Sequence, residues 1–345
     1  MKNSTKSDYS VIVALAVPLV ILLFVINIFC GAVDVPASAV VDALLGRCPE
    51  DSAWRLIVLE SGLPQAVTAF FAGAGLSVAG LLLQTLFGNP LAGPEVFGIN
   101  SGAGLGAAVV MLLLQGTFLS GSLSLSGYAA VLAAAFLGAL FVIIIILGLS
   151  SWVRNSVYLL IAGFAVSYLT SAVISLLNYF ATAEGVHSYL IWGMGNFGGV
   201  ALNYMPLFVA LVTVALFISL IMVKPLNALM LGDAYAANLG IRTKRVRGVL
   251  LLVTGFLTAT VTAFCGPISF IGLAVPHFAR IVLRTNNHIY MLPCTLLLGG
   301  AVALLCNLLC QLPGESGLIP LGAITPLIGA PIILYVVLRD KGIGR

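Results

Sequence analysis

"FVIIIILGL" (Phe141–Leu149) is apolar on every face it would present, whether wound as a helix or drawn out as a strand. A half-buried strand would place polar residues at alternate positions, and a helix on the surface of a soluble protein would carry them along one side. Set within the apolar run 128–149, which is long enough to cross a bilayer, this stretch reads as a helix surrounded by lipid, where every backbone polar group must be satisfied inside the element. The alternation expected of a transmembrane β-barrel is absent.

Working outward, similar runs recur along the chain at 11–30, 64–87, 96–115, 128–149, 156–180, 204–223, 249–266, 268–283, 292–311 and 320–338. Of the 345 residues 61% are hydrophobic and only 8% charged, against roughly a quarter charged in a soluble domain. The fold class read from this pattern is an all-α integral membrane protein with about ten transmembrane helices, organised as one polytopic domain over 1–345. The first run follows Lys2 and Lys6 but is too long for a signal-peptide core and lacks a small-x-small cleavage site, so it reads as a retained span. Bulky Phe29 before Cys30 argues against a lipoprotein signal. The seventh and eighth runs are separated by "GPI", where Pro267 is expected to break the helix.

Counting cations by side orients the chain. With the N-terminus inside, thirteen Lys and Arg fall on the cytoplasmic side and only Arg47 and Arg55 outside. Asp34, Asp42, Glu50, Asp51, Glu60, Glu184 and Glu315 fall outside, which leaves the outer face net acidic. Both termini are then cytoplasmic. The long polar connection 224–248 is cytoplasmic too, and within it "LGDAYAANLGIRTKRVRG" (Leu231–Gly248) contains helix-forming residues closed by Gly240, a candidate C-cap. Two readings fit these residues: a short surface helix with a basic tail, or a solvated loop whose charges only fix orientation.

Other patterns exclude chemistry. "GMGNFG" (Gly193–Gly198) matches the dinucleotide motif in letters but follows no strand and falls outside the cytoplasm. No GxxxxGK[ST] is present, so the chain has no phosphate loop for ATP hydrolysis. The six cysteines form no CxxC pair and suit packing better than metal ligation. No Asp or Glu lies in the central third of a span, where such a group costs about 2.5–3.5 kcal/mol and survives chiefly for proton or ion coupling. No catalytic set and no metal site is expected, nucleic acid is not a partner, and the energy source should lie outside this polypeptide. A self-contained secondary transporter of a small solute is the alternative.

"AGLLLQTLFGNPLAGPEVFGINSGAGLGA" (Ala79–Ala107) places turn formers between the second and third spans, with Gly98 and Gly102 spaced for close helix approach. Taken in order, "GNPLAGPEVFGINSGAGLGA", "IWGMGNFGGV", "LGDAYAANLG", "GPISFIGLAVPHFARIVL" and "GLIPLGAITPLIGAPIILYVVLR" resemble the permease subunits of type II ABC importers, the iron-siderophore, haem and vitamin B12 group. The likeness runs from about Leu63 to Arg339.

The resemblance implies a homodimer of ten-helix subunits in the bacterial inner membrane, surrounded by lipid, with two cytoplasmic ATPase subunits and an extracytoplasmic solute-binding protein. ATP and Mg would sit on the ATPase, and this chain would bind no cofactor of its own. By similarity Leu231, Gly232, Asp233, Ala236, Leu239, Gly240 and Arg242 form the ATPase-coupling contact. Asn89, Pro90, Leu91, Asn155 and Ser156 match the cytoplasmic gate. Gln84, Pro94, Gly98, Pro276, His277 and Arg280 belong to the structural motifs. One departure stands out: where the group often has Arg-Leu-Pro-Arg before the second span, this chain has "GLPQ", and Gln311 replaces a further arginine. Binding-protein docking is therefore expected near Glu60, Gln65, Gln311 and Glu315, either through basic or neutral residues of the partner or through shape alone. The resemblance leaves ferric siderophore, haem and cobalamin open as substrates.

Overall fold

The protein is described by a computed structural model covering residues 2–31, 35–49, 52–113, 125–152, 156–312 and 317–342, and no strand occurs among them. The helices are α1 (Lys2–Phe29), α2 (Ala37–Leu44), α3 (Ala53–Leu56), α4 (Leu63–Phe87), α5 (Ile99–Ala108), α6 (Leu125–Trp152), α7 (Ser156–Phe180) and α8 (Ala183–Gly193). They continue with α9 (Met205–Ile221), α10 (Val223–Leu229), α11 (Asp233–Asn238), α12 (Thr243–Cys265), α13 (Ile271–Leu283), α14 (His288–Gln311) and α15 (Leu321–Gly342). π-helical turns at Ile57–Gly62 and Val109–Leu113 precede α4 and follow α5.

Among the described residues six helical stretches are long and apolar enough to cross a membrane, α9 with α10 makes a seventh bent by 55°, and Ile99–Leu113, Ile271–Leu283 and Leu321–Tyr335 are shorter apolar helices. The protein is a multi-pass membrane protein, and each expected span has its helix. The boundaries differ informatively. α12 begins at Thr243 rather than 249, so Lys244, Arg245 and Arg247 are helical and not loop. Lys and Arg are good helix formers whose long stems let the charged head reach water, so helix extends past the apolar run. The expected break at Pro267 is real: α12 stops at Cys265, α13 starts at Ile271, and backbone of positive φ occurs at both Gly266 and Phe270. Apolar periodicity gave no sign of α2, α3 or α8, which lie in connections.

By contacts the chain forms two compact units, one of Met1–Val78, Asn196–Leu216 and Phe270–Arg345, the other of Ala79–Gly195 and Phe217–Ser269. In the first, α4 and α14 touch through their smallest residues. A methyl group added at Gly73 would lie 2.9 Å from the Gly299 carbonyl carbon and would also strike its oxygen and the Ala303 side chain. Without a hydrophobic driving force in lipid, such close backbone approach supplies the dispersion that holds helices together. A chain of amides, buried at Asn27 and Asn307 and half-buried at Gln65, adds polar specificity: Gln65 Nε2 donates to Asn307 Oδ1 (2.9 Å), Asn307 Nδ2 to Asn27 Oδ1 (2.7 Å), and Asn27 Nδ2 to the carbonyls of Leu304 (3.1 Å) and Leu23 (2.8 Å). It ties α1, α4 and α14 together.

The second unit repeats the principle. Gly102 on α5 abuts Gly138 on α6, where an added methyl would lie 2.6 Å from the Gly138 oxygen. Gly98, expected to serve the same contact, instead faces Ser167 and Gly163 of α7. α12 packs on α6 through the edge-to-face pair Phe136–Phe256 (5.7 Å). It reaches α5 through a hydrogen bond from Thr262 Oγ1 to Asn100 Oδ1 (2.9 Å).

Candidate functional site

The polar insertion folds as two short helices, not one. α10 continues α9 after the 55° bend and buries Leu226, Ala228 and Leu229. After a turn at Gly232 (φ +100), α11 runs six residues and buries only Ala236. Gly240 is at φ +80; its N–H donates to the Ala237 oxygen (2.9 Å) and the Ile241 N–H to the Ala236 oxygen (3.1 Å). This is the Schellman closure, in which a residue without Cβ adopts left-handed backbone and satisfies the last free carbonyls. Asp233 in the first turn of α11 meets Arg247 of α12 at 2.7 Å. A six-residue helix has no stability of its own, so the ion pair, the buried Ala236 and the Gly240 cap hold it in place.

The segment presents large apolar side chains to solvent. Leu231 is 65% and Leu239 59% exposed, and Met230 and Tyr235 are exposed with them. Gly232, Asp233, Gly240 and Arg242 are also exposed. The expected residues therefore form one exposed patch around α11, from which only Ala236 is withdrawn. Sequence reading missed Met230, Tyr235 and the Asp233–Arg247 pair. The i, i+4 spacing of Leu231, Tyr235 and Leu239 was the available signal for the apolar stripe.

The corner after α4 is equally defined. Gly88 (φ +55) closes α4 by the same motif, its N–H donating to the Thr85 oxygen and that of Asn89 to the Gln84 oxygen. Asn89 Oδ1 then accepts from the Leu91 N–H at 2.9 Å, an Asx turn that leaves Pro90 and Leu91 at the surface. Buried Pro94 opens a 3₁₀ turn to Phe97, whose ring stacks on Phe87 at 4.8 Å. Gly98 (φ +73) ends the corner against α7, and the fit is reciprocal: a methyl at Gly163 would lie 2.6 Å from the Val96 oxygen. The Asn89–Gly98 corner therefore rests on α7, the helix that begins at Ser156. Asn155 lies outside the described residues. Gln84 is buried in the last full turn of α4, as are Pro276 and His277 within α13, whereas Arg280 is half-buried.

The residues expected at the outer docking surface differ in exposure. Glu60 is exposed on the π-helical turn. Gln65 is half-buried and spends its amide on Asn307. Gln311 is only 7% exposed, and its Oε1 has no hydrogen-bond partner among the described residues. At the end of α14 the Ile319 N–H donates to the Cys310 oxygen (2.9 Å), and Gln311 beside it is buried within the single chain. Glu315 lies outside the described residues. The "GMGNFG" stretch is a packing turn: Gly195 (φ +72) lies against Pro267, and Asn196 Oδ1 accepts from the Gly198 N–H at 2.7 Å. Among the described residues no cluster of His, Cys, Asp or Glu could hold a metal ion.

A family model, the FecCD transport family, matches residues 19–339, nearly the whole chain. The chain belongs to the FecCD transport family. Among FecCD relatives, the vitamin B12 import system permease protein BtuC of Klebsiella pneumoniae is 33% identical over 290 residues, spanning 84% of this chain and 85% of its own. BtuC of Escherichia coli O6:H1 is 34% identical over 285 residues, 83% and 84% of the two chains. A solved structure described as an inward-facing conformation of a metal-chelate type ABC transporter superposes with a TM-score of 0.82 at 26% identity, covering 96% of this chain and 99% of that one. As a FecCD member the chain is the permease subunit of an ABC importer; it is not itself an enzyme, ATP is hydrolysed by a separate ATPase, and a solute-binding protein delivers the cargo. The self-contained carrier is thereby set aside.

Proposed function

We propose that this permease forms a homodimer in the bacterial inner membrane, with both termini cytoplasmic, and admits a corrinoid or metal chelate. Vitamin B12 is the first substrate to test, because the BtuC relatives are named for its import; ferric siderophore and haem follow. The observation that carries the mechanism is the exposed Leu231, Tyr235 and Leu239, which lie before, on and after a short helix tied to α12 by the Asp233–Arg247 pair. An apolar patch at the end of a rigid helix fits a groove on the ATPase. ATP-driven closure of that groove then moves α11, and the Arg247 link passes the motion to α12 as a rigid-body displacement.

Asn89, Pro90 and Leu91, with Asn155 and Ser156, are assigned to the cytoplasmic gate. The Asx turn and the seating on α7 make the corner stiff, so it moves with α7 as a unit. α7 itself supports both the pathway and the dimer: Val157, Ile161, Phe164, Tyr168, Leu169, Leu176 and Tyr179 are all exposed in the single chain. A helix bare on most of its circumference has room for a second copy on one side and cargo on another. Binding-protein docking is assigned to the region of Glu60, Gln65, Gln311 and Glu315, where exposed Glu60 is the most accessible of the described residues and the acidic outer face suits a partner presenting basic or neutral residues.

The test is uptake in cells lacking their own permeases, supplied with this chain, its ATPase and its binding protein. Labelled cobalamin, a ferric siderophore and haem are offered in turn. Accumulation of one that L239D abolishes, with the variant still inserted in the membrane, supports the reading. Accumulation that continues in L239D, or without the ATPase, refutes it.

A further inference from the structure

The connection between α1 and α4 contains an amphipathic element that neither the coupling patch nor the gate uses. α2 buries Val40 and Ala43 against Val58, with Ile28 and Phe29 at the end of α1 packed beside them. The adjoining stripe of the same helix, Val41, Leu44 and the following Leu45, is exposed by 43, 44 and 58%. The apolar arc of α2 is thus wider than the part this chain covers.

Its level in the membrane follows from α1. The 21 residues Tyr9–Phe29 rise about 31 Å as helix, the thickness of the hydrocarbon layer. Ile28 and Phe29 therefore mark the edge of that layer, and α2 packs on them. Below this edge, Leu15, Leu19, Leu22 and Val25 form an exposed apolar stripe at helical spacing on α1, the helix whose end α2 packs against. The charges complete the pattern. Gly46 (φ +68) closes α2, with the Arg47 N–H donating to the Asp42 oxygen (2.8 Å), and so sets exposed Arg47 directly after the apolar stripe. With the orientation proposed above, Arg47 is one of only two basic residues on the outer side. Among the described residues of this connection the carboxylates are half-buried Asp42 and exposed Glu60; Asp34, Glu50 and Asp51 lie outside the described residues.

We infer that α2 is an interfacial anchor: Val41, Leu44 and Leu45 enter the boundary between acyl chains and headgroups of the outer leaflet, and Arg47 holds a lipid phosphate. Guanidinium matches phosphate geometry, and short amphipathic helices bind interfaces in this way. Three aliphatic side chains on one short helix are far smaller than the 20–30 residues that each partner contributes to a specific protein interface.

The full chain, with its three tryptophans replaced by phenylalanine and L44W introduced, is placed in phosphatidylethanolamine–phosphatidylglycerol vesicles. Folding is checked by size-exclusion elution. The anchor predicts quenching by lipid brominated near the headgroup, weaker quenching by lipid brominated near the chain end, and little by aqueous acrylamide. Quenching by acrylamide alone overturns the inference, as does protection from all three, which would mean that a second copy or the binding protein covers the face. Adding R47Q should reduce the headgroup-proximal quenching; unchanged quenching removes the phosphate contact.

Discussion

Replacing Gly240 with alanine isolates what the cap of α11 contributes to coupling. Gly240 is at φ +80 and no atom lies within 4 Å of where its Cβ would be, so the perturbation is one of backbone alone. Left-handed backbone costs an L-residue about 1–2 kcal/mol, which lowers the population of the capped geometry by about 5–30-fold. α11 buries only Ala236, so little else compensates. The measurement is affinity of the purified permease for its ATPase, beside a thermal unfolding curve. G240A should weaken binding by up to that factor with the unfolding midpoint unmoved, because the strain is confined to an exposed turn. G240N should lose less, since asparagine tolerates this region better than alanine. G148A, a change in the interior of α6 that also meets nothing within 4 Å, should be neutral or stabilising by about 0.5–1 kcal/mol. Wild-type affinity in G240A, or G240N weaker than G240A, would refute the argument.

Three further outcomes follow from the packing. N307L strands Gln65 Nε2 and Asn27 Oδ1 in a buried site and should cost about 1–3 kcal/mol; in a cycle of thermal melts in detergent, N27L should cost less in that background than alone. G73V drives side-chain atoms into the α14 backbone, which cannot yield as a side chain can, and should cost at least the usual 1–3 kcal/mol of overpacking, read as an early melt or loss of monodisperse protein. R247Q removes a partly exposed ion pair and should change stability by less than about 1 kcal/mol while reducing ATPase-driven uptake; the swap D233R/R247D should restore part of that uptake, most clearly at low salt.

Much of this protein is legible in its sequence for one physical reason. Lipid removes every alternative to helix for a long apolar run, so "FVIIIILGL" and its counterparts dictate the all-α class and the spans without knowledge of neighbours. Gly240 was readable as a cap because only local backbone geometry is involved. What the sequence could not decide depends on which side of a helix meets another part of the chain. Gln65 and Gln311 looked like surface groups at the ends of spans, yet one donates to Asn307 and the other is buried at the end of α14. Gly98 and Gly102 share a spacing but serve different helices. Asn27 and Asn307 are 280 positions apart and meet only because α1 lies against α14. In lipid, apolar character says that a helix is immersed and leaves its rotation free; that rotation is set by small-residue contacts and buried amides, which exist only once the helices have packed.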